Sequence, residues 1–154
     1  MSSGASVVTQ ICDAVVRELN ATASFGQPLR AVRQNVPRFA REALANLQVV
    51  VAPRKRRNQI LTRGNLKQLD FEVWVGVLKG IATNEESETD PLLLLCEKIG
   101  EHFPLFQVAI DTGQTLTCIA ADQGDDETPF FDVEQLDALY QFTALIGLTF
   151  RGMR

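Results

Sequence analysis

Few side chains in this chain are equipped to act on a bond. His102 is the only histidine, so any triad or imidazole base would have to use it. It stands near the end of a helical pattern, just before Phe103-Pro104, where an imidazole suits the carbonyl end of a helix. Cys12, Cys96 and Cys118 lie far apart in apolar surroundings, and no two share a C-x-x-C spacing. An odd count with that spacing argues against a disulfide framework and against a zinc site, and predicts buried thiols in a reducing compartment. The sequence contains no G-x-S-x-G, H-E-x-x-H, P-loop or G-x-G-x-x-G motif. Acidic residues are plentiful but gather in the polar stretches 83–90 and 122–127, a setting of solvated carboxylates rather than acid–base pairs or metal ligands. The expectation is a protein that is not an enzyme, holds no cofactor or metal, and works through its surfaces.

The strongest surface signal is the run Arg54-Lys55-Arg56-Arg57, with Arg63 close behind it. Residues 28–67 hold ten basic side chains against one acid, Glu42, a charge of +9. The rest of the chain holds five against eighteen, a charge of −13. Segregation of this kind bears on partners rather than on fold. A basic surface meets nucleic acid, or it meets an acidic surface on another protein or another copy of the same chain. Four consecutive cations repel one another, so a partner explains them better than a loop that merely keeps a sheet edge soluble. Arg54, Lys55, Arg56, Arg57 and Arg63 are therefore the candidate interface residues.

The elements that must carry this run are built around residues 69–79. Leu69, Phe71, Val73, Val75 and Val77 alternate with Asp70, Glu72, Trp74, Gly76 and Leu78, the period of a strand with one buried face. Residues 46–53 form a second strand that ends at Pro53, and the basic run joins the two into a long hairpin. Val8, Ile11, Val15 and Leu19 mark an amphipathic helix over residues 6–21, and a short strand is expected over 29–36. After the acidic connector, Thr89 or Asp90 caps a helix over 91–103 with Pro91 in its first turn. Leu93 and Leu94 widen its apolar surface toward the first helix or a neighbouring subunit. Short strands are expected over 105–110 and 114–121, and a capping box at residues 132–135 opens a short helix through Tyr140. A last strand over 141–151 turns Phe142, Ala144, Ile146, Leu148 and Phe150 inward, and its pattern lets it pair beside the central strand. Gly76 and Gly147 inside strands predict a bulge, a bend or close backbone approach. The sum is an α+β fold: one twisted, mostly antiparallel sheet of four to six strands, two main helices packed on it, and a long basic β-hairpin arm.

A length of 154 residues fits one domain that buries a sizeable core without staples. No apolar run approaches the roughly 20 residues that span a bilayer, and the first residues lack a basic n-region and a long apolar segment, so neither a membrane span nor a secretory signal is expected.

In order and spacing these pieces resemble the tail terminator or tail completion proteins at the neck of tailed bacteriophages. The likeness rests on the amphipathic first helix ending near Asn20 and on Leu47-Gln48-Val49-Val50-Val51-Ala52-Pro53 with its basic continuation. It continues through Asp70-Phe71-Glu72-Val73-Trp74-Val75-Gly76-Val77, the acidic link into the helix from Leu92 to Phe103, and the closing stretch from Leu136 to Arg151. The resemblance implies a structural virion protein assembled in the host cytoplasm, whose subunits form a ring, commonly a homohexamer. The ring caps the tail tube protein, meets the connector or stopper protein of the head, and passes DNA through its channel without specific binding. A head completion or stopper protein is the alternative within the neck. A small nucleic-acid-binding module is the alternative outside it, disfavoured by a pI of about 5.0 and by the absence of aromatics among residues 54–57.

Overall fold

Alternation around Phe71 becomes a strand of 14 residues at the middle of a six-stranded sheet. The structure, a computed structural model, describes residues 5–21, 25, 29–35, 46–60, 67–80, 86–122 and 141–153. Along the chain these form α1 (Val7–Ala21), β1 (Ala31–Arg33), β2 (Gln48–Ile60), β3 (Lys67–Gly80), α2 (Glu86–His102), β4 (Gln107–Ala109), β5 (Thr115–Asp122) and β6 (Gln141–Met153). The sheet runs β1-β2-β3-β6-β5-β4. Only the β1–β2 pair is parallel, so the sheet is mixed and mostly antiparallel, and the α+β reading holds. β6 pairs with β3 along nearly its whole length, from Gln68 opposite Met153 to Gly80 opposite Gln141. The hairpin of β2 and β3 is thereby backed on its β3 side by a third long strand.

One face of the sheet carries the core. Leu69, Phe71, Val73, Val75 and Val77 of β3 and Phe142, Ala144, Ile146, Leu148 and Phe150 of β6 are all buried on it. α1 covers β1, β2 and β3 with Ile11, Cys12, Val15 and Leu19, while α2 covers β5 and β6 with Leu92, Leu95, Cys96 and Ile99. α1 is rich in β-branched valine and has modest intrinsic helicity, so its stability comes from this packing and from its cap. The Ser6 hydroxyl accepts a hydrogen bond from the Thr9 amide at 3.2 Å and donates to Thr9 Oγ1 at 2.8 Å, which satisfies the exposed first turn. At the other end Asn20 clamps the start of β1, its Oδ1 accepting from Ala31 N at 2.6 Å and its Nδ2 donating to Ala31 O at 3.1 Å. His102, the last residue of α2, ties the two helices together through Glu18 at 2.7 Å, with its ring edge-on to Phe25 and Phe103.

Several boundaries differ from expectation. α2 begins at Glu86, so Pro91 lies inside the helix, and neither Thr89 nor Asp90 caps it. A proline φ near −65° is already helical, and the lost bond falls close to the helix start, where the carbonyl ladder is least constrained. The strands expected over 29–36 and 105–110 are three residues each, Ala31–Arg33 and Gln107–Ala109; Leu105 still donates to the Cys118 carbonyl of β5 at 2.8 Å, but its φ of 72° breaks the extended run before β4. Strand β2 does not end at Pro53 but runs on through the basic stretch to Ile60. The Val51 carbonyl accepts from Gln34 on the β1 side at 3.0 Å. Two residues on, Pro53 directs its missing N–H to that same side, past the end of β1, where no donor is required. Gly76 and Gly147 sit in regular pairing rather than in bulges. Gly76 answers to close approach: a Cβ there would come within 3.0 Å of Val50 Cγ1. Pairing tighter still occurs at Gly152, where a Cβ would run into Leu116 and stand 2.8 Å from Gln114 Nε2. The acidic loop after Asp122 and the capping-box helix through Tyr140 lie outside the described residues.

Candidate subunit interface

A single irregularity decides where the basic side chains go. Pro53 pairs with Val73 and Lys55 with Glu72, so Arg54 is an extra residue in β2. This bulge resets the alternation of the strand. Arg54 projects on the face away from the helices, and Arg56, opposite Phe71, on the face beneath them.

On the helix-free face, Arg54 belongs to a ladder that crosses three strands. Its guanidinium carbon lies 3.6 Å from the centre of the Trp74 ring, and its Nε is 3.3 Å from Glu72 Oε1. The same carboxylate oxygen accepts from Trp74 Nε1 at 3.0 Å. One step along, Arg151 of β6 grips Asp70 through two parallel bonds of 2.9 and 3.0 Å, the bidentate geometry suited to a planar guanidinium. Gln68, its amide oxygen turned to Arg151, accepts from the same side chain at 2.9 and 3.0 Å. Bonding to Asp70 raises the Arg151 pKa above its ordinary value. The Trp74 ring lies over the Gly147 position opposite it, in ordinary contact distance of a hypothetical Cβ.

Arg56 meets different surroundings. It is exposed, its guanidinium carbon is 5.6 Å from the Phe71 ring centre, and no carboxylate pairs with it among the described residues. It edges a groove of about 960 Å³. Val7 and Val8 of α1, Pro53, Leu69 and Phe71 of the hairpin, and Ile110 give the groove its apolar lining. Ser6, Thr112, Gly113, Gln114 and Arg54 complete it with Arg56; the Arg54 guanidinium is turned to Trp74 and Glu72 on the opposite face, and the described lining contains no carboxylate. Helix and turn are held beside each other by Gln10, whose Oε1 accepts from Asp111 N at 2.9 Å. Gly113 closes that turn at φ 87°, a conformation that glycine adopts without a Cβ clash.

Of the five sequence-predicted residues, then, Arg54 and Arg56 stand on opposite faces of one strand. Lys55 and Arg57 occupy β2 positions opposite Glu72 and Asp70 in the register, and Arg63 lies outside the described residues. Strand β1 flanks only Val49 to Val51, so from residue 55 to residue 60 the outer edge of β2 pairs with no described strand. Sequence reasoning missed the partners Asp70, Glu72, Trp74 and Arg151. The signal was present, since period two places the first three on one face and Arg151 on the matching outward set of β6. It also missed the groove, whose walls come from a helix start and a turn that no local pattern brings together. Elsewhere in the basic segment, Arg33 Nε donates to Asp13 Oδ1 of α1 at 2.9 Å, so a second cation is matched within the subunit.

The candidate chemical residues have structural settings. Cys12, Cys96 and Cys118 are free and buried, as expected. Burial pushes the thiols of Cys12 and Cys96 up to about 12 and that of Cys118 up to about 11, which suppresses the reactive thiolate. Among the described residues no cluster of three His, Cys, Asp or Glu side chains is placed to hold a metal ion. Likewise, no described helix is long and apolar enough to cross a membrane. Comparison with protein-family models and with curated protein sequences gave no match.

Proposed function

We propose that this chain is a structural virion subunit, a tail terminator that assembles into a ring at the head–tail neck, caps the tail tube and joins it to the head connector. The reading starts from the resemblance in element order and rests on one observation. The far half of the β2–β3 hairpin carries exposed cations along a strand whose edge is unpaired among the described residues. A head-to-tail ring joins two different patches on each subunit. A basic segment and an acidic remainder within one sequence offer two patches of opposite charge for such a ring, and complementary potentials favour register and encounter. DNA passing through the channel makes no lasting bond in this scheme, because it must slide at ejection. The nucleic-acid alternative loses support at Arg54, which is matched to Glu72 and Trp74 rather than presented to phosphate. Native mass measured over a salt series, followed by negative-stain imaging, tests the proposal. A ring near six subunits that loosens as salt rises supports it. A strict monomer at every salt concentration that also binds duplex DNA with a steep salt dependence replaces it with the nucleic-acid module.

A further inference from the structure

We infer that Leu105, with Ile119 on the neighbouring strand, is the anchor by which one copy of this chain seats on the basic β1–β2 edge of the next. The inference rests on the ring reading and adds to it the surface that the basic edge meets.

Leu105 is unfavourable in two ways within its own subunit. Phe106 N donates to Phe103 O at 2.8 Å, which closes a turn over residues 103–106 with Pro104 second and Leu105 third. At φ 72° Leu105 is the one described non-glycine residue in the left-handed region. There a Cβ crowds the backbone, and a turn with positive φ at its third position takes Gly or Asn. The leucine side chain is also 80% exposed, the most open of the large hydrophobics described, so burial does not offset the strain. A glycine would fold this turn better. Strain that folding does not explain points to a contact outside the subunit. The Leu105 amide donates to Cys118 O at 2.8 Å, which brings it to the Ile119 end of β5. Cys118 pairs with Phe150 and Ala120 with Thr149, so Ile119 is an extra residue in β5, and it is 44% exposed. Two backbone irregularities thus hold two large apolar side chains in water at one end of the sheet.

The other end of the sheet fits them. Among the described strands β1 and β4 are outermost, on opposite sides. A head-to-tail contact joins two unlike patches, and ring closure needs them on different sides of the subunit. β1 presents Val32, 44% exposed, as the apolar counterpart. Arg30 before it, and Arg54 and Arg56 of β2 beyond the end of β1, are exposed cations. The anchor end carries the opposite sign: Glu97 and Glu101 near the end of α2 and Asp122 at the end of β5 are exposed, against a half-buried Lys98. Apolar side chains therefore meet apolar ones, flanked by acid on one copy and base on the other.

Two variants test the assignment by native mass and thermal melts. Leu105→Gly relieves the turn and removes the anchor. Its Tm should equal or exceed that of the wild type, while the protein concentration for half-assembly rises at least about tenfold. Val32→Cys/Ile119→Cys probes the pairing of edges. Within one chain β1 and β5 are four strand spacings apart, roughly 19 Å along the sheet, too far for a disulfide. Mild oxidation should link copies into covalent oligomers up to ring size, and neither single variant should cross-link. The three native thiols are buried and contribute little background. Rings of the double variant that stay uncross-linked overturn the assignment while leaving the ring reading in place. So do Leu105→Gly rings as resistant to dilution as the wild type, above all with a lowered Tm, since the leucine would then serve its own turn. Dimers from Ile119→Cys alone overturn the choice of β1 as the partner edge. A wild type that is monomeric at every concentration, with no cross-links from the double variant, overturns both readings.

Discussion

The two halves of strand β2 are one continuous strand doing two different jobs. From Gln48 to Pro53 it lies between β1 and β3, and Val49, Val50 and Val51 are almost wholly buried. Beyond the bulge it pairs with β3, no described strand flanks its other side, its sequence turns basic, and its described side chains Arg54 and Arg56 are exposed. Neighbouring strands decide the difference. An edge strand in water needs charge to avoid pairing with the wrong chain, and the same charge selects a right one. The near half should therefore govern stability, and the far half association.

The sharpest way to break this contrast is to weaken the near half. Val51→Ala, at a fully buried site, should lower unfolding free energy by about 2–3 kcal/mol in denaturant titrations. A cost near zero would mean that the core does not extend through this strand. The buried thiols offer a second probe of the same core. Their folded pKa values are raised, so the folded state holds its protons more tightly than the unfolded chain. Stability is then fully present below the ordinary thiol value of 9.0 and falls as pH rises toward about 11 for Cys118 and about 12 for Cys12 and Cys96. Thermal melts between pH 8 and 11 should show Tm dropping above pH 9, and Cys12→Ala/Cys96→Ala/Cys118→Ala should flatten that drop.

Further along, Arg54→Ala removes a half-exposed ion pair and a cation–π contact, a loss of about 1 kcal/mol. Trp74 is the only tryptophan, so its emission reports the change directly: uncovering the ring should shift it to the red. An unchanged spectrum would mean that the guanidinium does not rest on the indole in solution. The smallest effect on folding is expected at Arg56→Ala, within about 0.5 kcal/mol, although the same change should weaken association. Stability and assembly separating between Val51 and Arg56 is the signature of the two-halves account.

Much of the fold was legible in local patterns. Period two located β3 and β6 and assigned their inward faces, because both strands pair on two sides and bury one face continuously. Spacings of three and four located α1. Pro53 and Pro91 misled because a proline's effect depends on where its missing N–H points, and that is set by neighbours distant in sequence. At Pro53 it points past the end of β1, and at Pro91 it falls near the helix start. The basic run was visible at once, but its division between two faces was not. One unpaired residue, Arg54, reverses the alternation, and nothing in the composition of residues 54–57 marks which residue is the extra one. The groove was beyond reach for a related reason. Ser6, Arg56, Phe71 and Thr112 meet only through pairings across the whole sheet and the Gln10 bond to the β4–β5 turn.

The central claim, that the far half of the hairpin joins one copy to another, is tested most directly by native mass of the wild-type chain beside Arg56→Glu/Arg57→Glu at low salt. The account predicts a ring near six subunits for the wild type and smaller species for the double variant, with both still folded by circular dichroism. Rings of equal size and equal salt resistance from the two proteins would contradict it.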